Sequence, residues 1–81
     1  MSNNIDYSRL SYLCDRMRLG IATKEEKDEY MLTLYQNGKI SEVQYNSYIA
    51  NRNSTEIVNA ALSVGAVLLI GYVLSQIFKG R

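Results

Sequence analysis

IVNAALSVGAVLLIGYVLSQIF, residues 57–78, carries no charged side chain. At ~1.5 Å of rise per residue, roughly 22 positions make about 33 Å of helix, slightly more than the ~30 Å hydrocarbon core of a bilayer. Its polar interruptions are Asn59, Ser63, Ser75 and Gln76. All but Ser63 lie near an end, where headgroups tolerate them, and Ser63 can bond back to a carbonyl of its own helix. Residues 1–56 are too few to cover every face of so apolar a rod, so the segment reads as a membrane-spanning helix. Burial inside a homo-oligomer or a larger assembly is the soluble alternative. The chain accordingly divides into a soluble helical interaction module at 1–53, a transmembrane helix at 54–79 and a short basic tail at 80–81.

Nine basic and eight acidic residues leave a formal charge of +1, with no histidine, tryptophan or proline and one cysteine, Cys14. Arg9, Arg16 and Arg18 are too few to neutralise a run of phosphates, which argues against nucleic acid as a partner. A lone cysteine forms no internal disulfide, so the module holds together without covalent staples, and Cys14 reads as a small buried side chain. The amino terminus shows neither a secretory n-region with an apolar stretch nor the glycine needed for myristoylation. Insertion then relies on the apolar segment itself. Lys79 and Arg81 on one flank face Arg52 and Glu56 on the other, a weak charge signal. The ease of translocating three residues instead of a domain places the module on the cytoplasmic or interior side.

Ahead of the apolar segment, three short helices are expected. Tyr7, Leu10, Leu13, Cys14 and Met17 recur at helical spacing behind a cap at Asp6 or Asn4, and the helix stops near Leu19-Gly20. Thr23-Lys24-Glu25-Glu26 has the form of a capping box, with Tyr30, Met31 and Leu34 following on one face and Tyr35 at its edge. Asn37-Gly38 supplies a left-handed stop. Ser41-Glu42-Val43-Gln44 is a second capping box, with Ile40 and Tyr45 placed for a hydrophobic staple. A shift of 18 residues superimposes Gly20 on Gly38, Thr23 on Ser41, Glu26 on Gln44, Asp28 on Asn46, Tyr30 on Tyr48 and Met31 on Ile49. That is either an old duplication or one solution to starting a short helix used twice.

The run Leu34 to Ile49, with Leu34, Gly38, Ile40, Ser41 and Tyr45 at the matching places, resembles the SHOCT family of short helical oligomerisation domains. The shared pattern is an apolar helix end, a glycine, isoleucine with serine or threonine, and an acidic or amide-rich start to a tyrosine-containing helix. In that family the unit usually closes the chain, whereas here an apolar segment follows it. The resemblance implies a hairpin for protein interaction or self-association, and no chemistry.

No histidine is present to shuttle protons, and Cys14 has no base beside it, so catalysis is not expected. Glu25, Glu26, Asp28 and Glu29 are interleaved with Lys24 and Lys27 on the first turns of a helix, where acidic residues favour the dipole. Their spacing is not that of a calcium loop. No catalytic residue, metal site, cofactor or small-molecule substrate is assigned. Six tyrosines crowd the module. Tyr30, Tyr45 and Tyr48 are expected to pack internally, whereas Tyr12 and Tyr35 are the candidates for contact with a partner. Ala61 with Gly65, and Gly71 with Ser75, form small-xxx-small pairs suited to packing between spans. Tyr72, Phe78, Lys79 and Arg81 are candidate anchors at the far interface.

Together these features describe an all-α protein: a small bundle of three short amphipathic helices followed by one C-terminal transmembrane helix. The expected role is a non-enzymatic structural tether or assembly component held at the lipid bilayer, self-associating or bound within a larger protein assembly. A minor membrane protein of a virus or phage fits that description. The rival expectations are a holin-like or toxin-like permeabilising oligomer and a small regulatory subunit of a multispan complex.

Overall fold

Side-chain oxygens start the first three helices. The computed structural model describes residues 5–79. Among them the chain is all α, with α1 at Tyr7–Arg18, α2 at Lys24–Gln36, α3 at Glu42–Ala50 and α4 at Thr55–Lys79. Asp6 caps α1 by accepting from the Arg9 amide at 3.1 Å; Asn4 lies outside the described residues. Helices α2 and α3 each open on a complete capping box. The Thr23 hydroxyl accepts from the Glu26 amide at 3.1 Å while the Glu26 carboxylate accepts from the Thr23 amide at 2.9 Å. Ser41 and Gln44 repeat the exchange at 3.0 and 2.8 Å. Two otherwise unpaired amides are thus satisfied at each start.

Helices α1 and α2 stop on glycines in the left-handed region, Gly20 at φ 74° and Gly38 at φ 70°. In both turns the glycine amide donates three residues back, to Met17 or Tyr35, and the next amide donates five back, to Arg16 or Leu34. This is the Schellman arrangement, which an L side chain at the glycine position would strain. The 18-residue correspondence therefore holds at cap, cap partner and stop, and both Tyr30 and Tyr48 are fully buried. It lapses at its last pair, where Met31 is buried and Ile49 exposed. Helix α2 packs on α1, α3 and α4, whereas α3 packs on α2 and α4 alone.

The core draws Leu10, Leu13, Cys14 and Met17 from α1, Tyr30, Met31 and Leu34 from α2, Ile40 and Tyr48 from the α3 region, and Ala61 from α4. Positions 10, 13, 14 and 17 form one helical stripe. That stripe needs α4: the most extensive helix pairing in the molecule joins α1 to α4. The two run antiparallel. Tyr7, at the start of α1, stacks on Tyr72 with centroids 4.3 Å apart and planes 12° apart, and Met17, near its end, lines a groove with Val58 and Asn59. Across the middle, the buried Tyr30 hydroxyl donates to the Ala61 carbonyl at 2.8 Å. A Cβ placed on Gly65 would overlap that same hydroxyl.

The apolar helix is therefore a structural member of the bundle along more than half its length. The expected division at residues 53 and 54 falls in the turn between α3 and α4, and all three preceding helices pack on α4 across it. In the core, α4 and α2 together cover the inward stripe of α1.

Two substitutions separate the roles of the helix glycines. Gly65→Ala should destabilise the fold by about 1–3 kcal/mol, because Tyr30 is fully buried and cannot retreat. Gly71→Ala, with open space around it, should be neutral or stabilising by up to ~1 kcal/mol through helix propensity. Chemical denaturation followed by circular dichroism in mild detergent checks both; equal effects would contradict the close approach at Gly65. In the same assay Gly38→Val should cost about 1 kcal/mol or more.

Candidate membrane-contacting site

Helix α4 has two halves of opposite character. In the first, Ile57, Val58, Ala61, Leu62, Val64 and Gly65 turn toward the bundle, while Thr55, Glu56, Asn59, Ala60 and Ser63 face out. That is an ordinary amphipathic helix with its apolar side covered. Beyond Ala66 the outward side changes. Val67, Ile70, Val73, Leu74, Ile77 and Phe78 continue the outer face at helical spacing and are all exposed, Val67 at 69% and Phe78 at 73%. The inner side becomes Tyr72, Ser75 and Gln76. Every residue from 70 to 78 is exposed, so the distal helix projects from the bundle with an uncovered apolar stripe. Thr55–Phe78 is long and apolar enough to cross a membrane.

The small-residue pairs part company on this geometry. Ala61 and Gly65 are buried against Tyr30 of their own chain, so they serve the bundle and are not available to a second span. Gly71 and Ser75 are exposed. Ser63 bonds back to the Asn59 carbonyl at 3.2 Å. Of the interface anchors, Tyr72 lies against Tyr7, Phe78 is open, and Arg81 and the side chain of Lys79 lie outside the described residues.

On the bundle surface, Tyr12 is 45% exposed but is set in a lattice of ion pairs. The guanidinium groups of Arg9 and Arg16 lie over its ring at 5.1 and 5.4 Å. Arg9 pairs with Glu29 at 2.8 Å and Arg16 with Glu26 at 2.7 Å. Hydrogen bonds from those arginines hold both carboxyls below their usual range. Glu26 thus serves the cap of α2 and the pairing of α1 with α2 at once. Tyr35 is half-buried and stacks on Tyr45 at 4.6 Å.

Asp28 and Arg52 form a further polar junction, which reading the sequence as separate helices did not identify. The Asp28 carboxylate accepts from the Tyr48 hydroxyl at 2.7 Å, from Arg52 Nε at 2.8 Å and from Lys24 Nζ at 3.1 Å. Partial burial opposes its charge, but the bonds from Arg52, Tyr48 and Lys24 outweigh burial and hold the carboxyl well below its usual range. Burial and the neighbouring Asp28 push the Tyr48 phenol up. The junction ties α2 to α3 and to the turn that leads into α4. Arg52, counted from sequence as a free flanking charge, is occupied by Asp28. Only the spacing of Asp28 one turn from Lys24 was readable in advance.

Among the described residues no cluster of three or more histidine, cysteine or carboxylate side chains is placed to hold a metal ion. Cys14 is buried. No protein-family model matches the chain, and neither a curated protein nor a solved structure similar to it is found.

The Asp28 junction makes a signed prediction about pH. A carboxyl whose folded pKa is depressed stabilises the fold above its unfolded value, near ~4, and that stability is lost as pH falls through the folded value. Asp28→Asn should cost about 1–3 kcal/mol at neutral pH. It should also flatten the loss of stability seen between roughly pH 4 and more acid conditions. Denaturation midpoints across that range check both; an unaltered acid slope would show that Asp28 is not the titrating group.

Proposed function

We propose that this protein is a non-enzymatic membrane-attached tether, with α4 as its attachment and the helical bundle as a contact for another copy or a larger assembly. The observation that supports attachment is the distal half of α4, where every residue from 70 to 78 is exposed and the outer side is wholly apolar. Water disfavours so large a contiguous apolar surface, and the apolar region of a lipid interface covers it. The bundle completes the reading. Its chemistry is spent on caps, ion pairs and packing, and its exposed apolar residues, Leu19 and Val43 foremost, are scattered as contact points for a neighbour.

The mechanism is a rise in effective concentration. Holding many bundles at one bilayer surface lets individually weak contacts between helical hairpins, of the kind the SHOCT-like run implies, act together. No pore and no turnover is needed.

Flotation of the full chain with phosphatidylcholine–phosphatidylglycerol vesicles tests this. The protein should rise with the vesicles and leave an entrapped dye in place. Ile70→Asp with Leu74→Asp, both on the exposed stripe, should lower vesicle partitioning by at least about tenfold while leaving helix content unchanged. Recovery of the unaltered chain in the vesicle-free fraction would overturn the proposal, and dye release at low occupancy would favour a permeabilising role.

A further inference from the structure

We infer that the folded bundle meets the membrane along the outer face of distal α4, with that helix lying in the bilayer interface, and that in this folded form it does not cross the bilayer. The inference rests on the membrane attachment proposed above and specifies its geometry.

The first ground is the position of α1. Because Tyr7 stacks on Tyr72 and Met17 lies near Val58, α1 flanks α4 over most of the apolar segment. A crossing from Ile57 to Phe78 would carry α1 into the hydrocarbon with it, and α1 bears Arg9, Asp15, Arg16 and Arg18, with Glu26 and Glu29 beside them on α2. Charges at that depth are strongly disfavoured. From Tyr72 to Lys79 the described part of α4 covers about 10 Å of helix, a third of the ~30 Å core.

The second ground is the change of polarity along the outer face. Glu56, Asn59 and Ser63 occupy it in the first half; Val67, Ile70, Val73, Leu74, Ile77 and Phe78 occupy it in the second. A crossing helix tolerates polar groups near its ends, or where one bonds back to its own backbone as Ser63 does, and gains nothing from a polar stripe along one half. A helix resting obliquely on the interface needs an apolar stripe at one end and a polar one where it lifts into water. On the opposite side of the distal half, Ser75 and Gln76 point away from the stripe, as an interfacial helix requires. Crossing by releasing α4 from both α1 and α2 would uncover Leu10, Leu13, Cys14 and Met17 and break the Tyr30–Ala61 hydrogen bond between α2 and α4. The inward face of α4, already covered by protein, would gain little from lipid in return.

The chain has no tryptophan, so single tryptophans report depth cleanly. Phe78→Trp and Ser63→Trp, both at exposed outward positions, are bound to phosphatidylcholine–phosphatidylglycerol vesicles carrying a nitroxide-headgroup lipid in the outer leaflet only. The interfacial geometry predicts a blue shift and strong quenching of Phe78→Trp by that lipid, with Ser63→Trp still quenched by aqueous iodide. A crossing predicts the reverse: Phe78→Trp beyond reach of the outer-leaflet label and Ser63→Trp shielded from iodide. That result overturns the inference and leaves the tether standing. Failure of both variants and of the unaltered chain to bind vesicles overturns both. A blue shift of Phe78→Trp without vesicles, accompanied by dimer on ultracentrifugation, shows that a second copy covers the stripe and overturns the lipid assignment.

Discussion

The contact between Tyr30 and α4 is the constraint on which the other packing depends. A phenol ring with no exposed surface reaches the α4 backbone, donates to the Ala61 carbonyl, and fits only because Gly65 has no side chain there. A neutral hydrogen bond of this kind contributes about 1 kcal/mol, but a buried hydroxyl left without its acceptor costs about 1–3 kcal/mol. The register of α4 against α2 is thereby specified, and with it the antiparallel match to α1 that ends in the Tyr7–Tyr72 stack. Burial, with Cys14 close by, also pushes the Tyr30 phenol up, so the group stays neutral through the physiological range.

From that contact follows the dual use of one apolar helix. Its first half spends its apolar side on the bundle; its second half presents an apolar side to the surroundings. Each charged side chain held at the centre of a bilayer costs on the order of 2.5–3.5 kcal/mol, while each large apolar side chain uncovered by loosening the bundle costs about 1.5–3 kcal/mol. Both penalties act against a crossing, and neither applies to a helix resting at the interface.

Local signals in the sequence were readable to the residue. Thr23 with Glu26, Ser41 with Gln44, Gly20, Gly38 and the stripe from Leu10 to Met17 all act over one helical turn, so spacing alone exposes them. What spacing could not show was the orientation of α4. The two halves of the helix carry apolar sides that face opposite ways, and over the whole length these cancel, leaving a segment that looks uniformly apolar. The same limit hid Asp28 with Arg52, whose pairing joins positions 24 residues apart. It also left Ala61 and Gly65 as candidates for contact with a second span, whereas the ring packed against them belongs to Tyr30 of their own chain.

The Tyr7–Tyr72 stack joins positions at opposite ends of the described chain, and this sets a timetable for synthesis. Helices α1 to α3 emerge from the ribosome before the element that completes their core, so they wait as short, individually marginal helices with an uncovered apolar side. The bundle therefore closes only after α4 has left the exit tunnel.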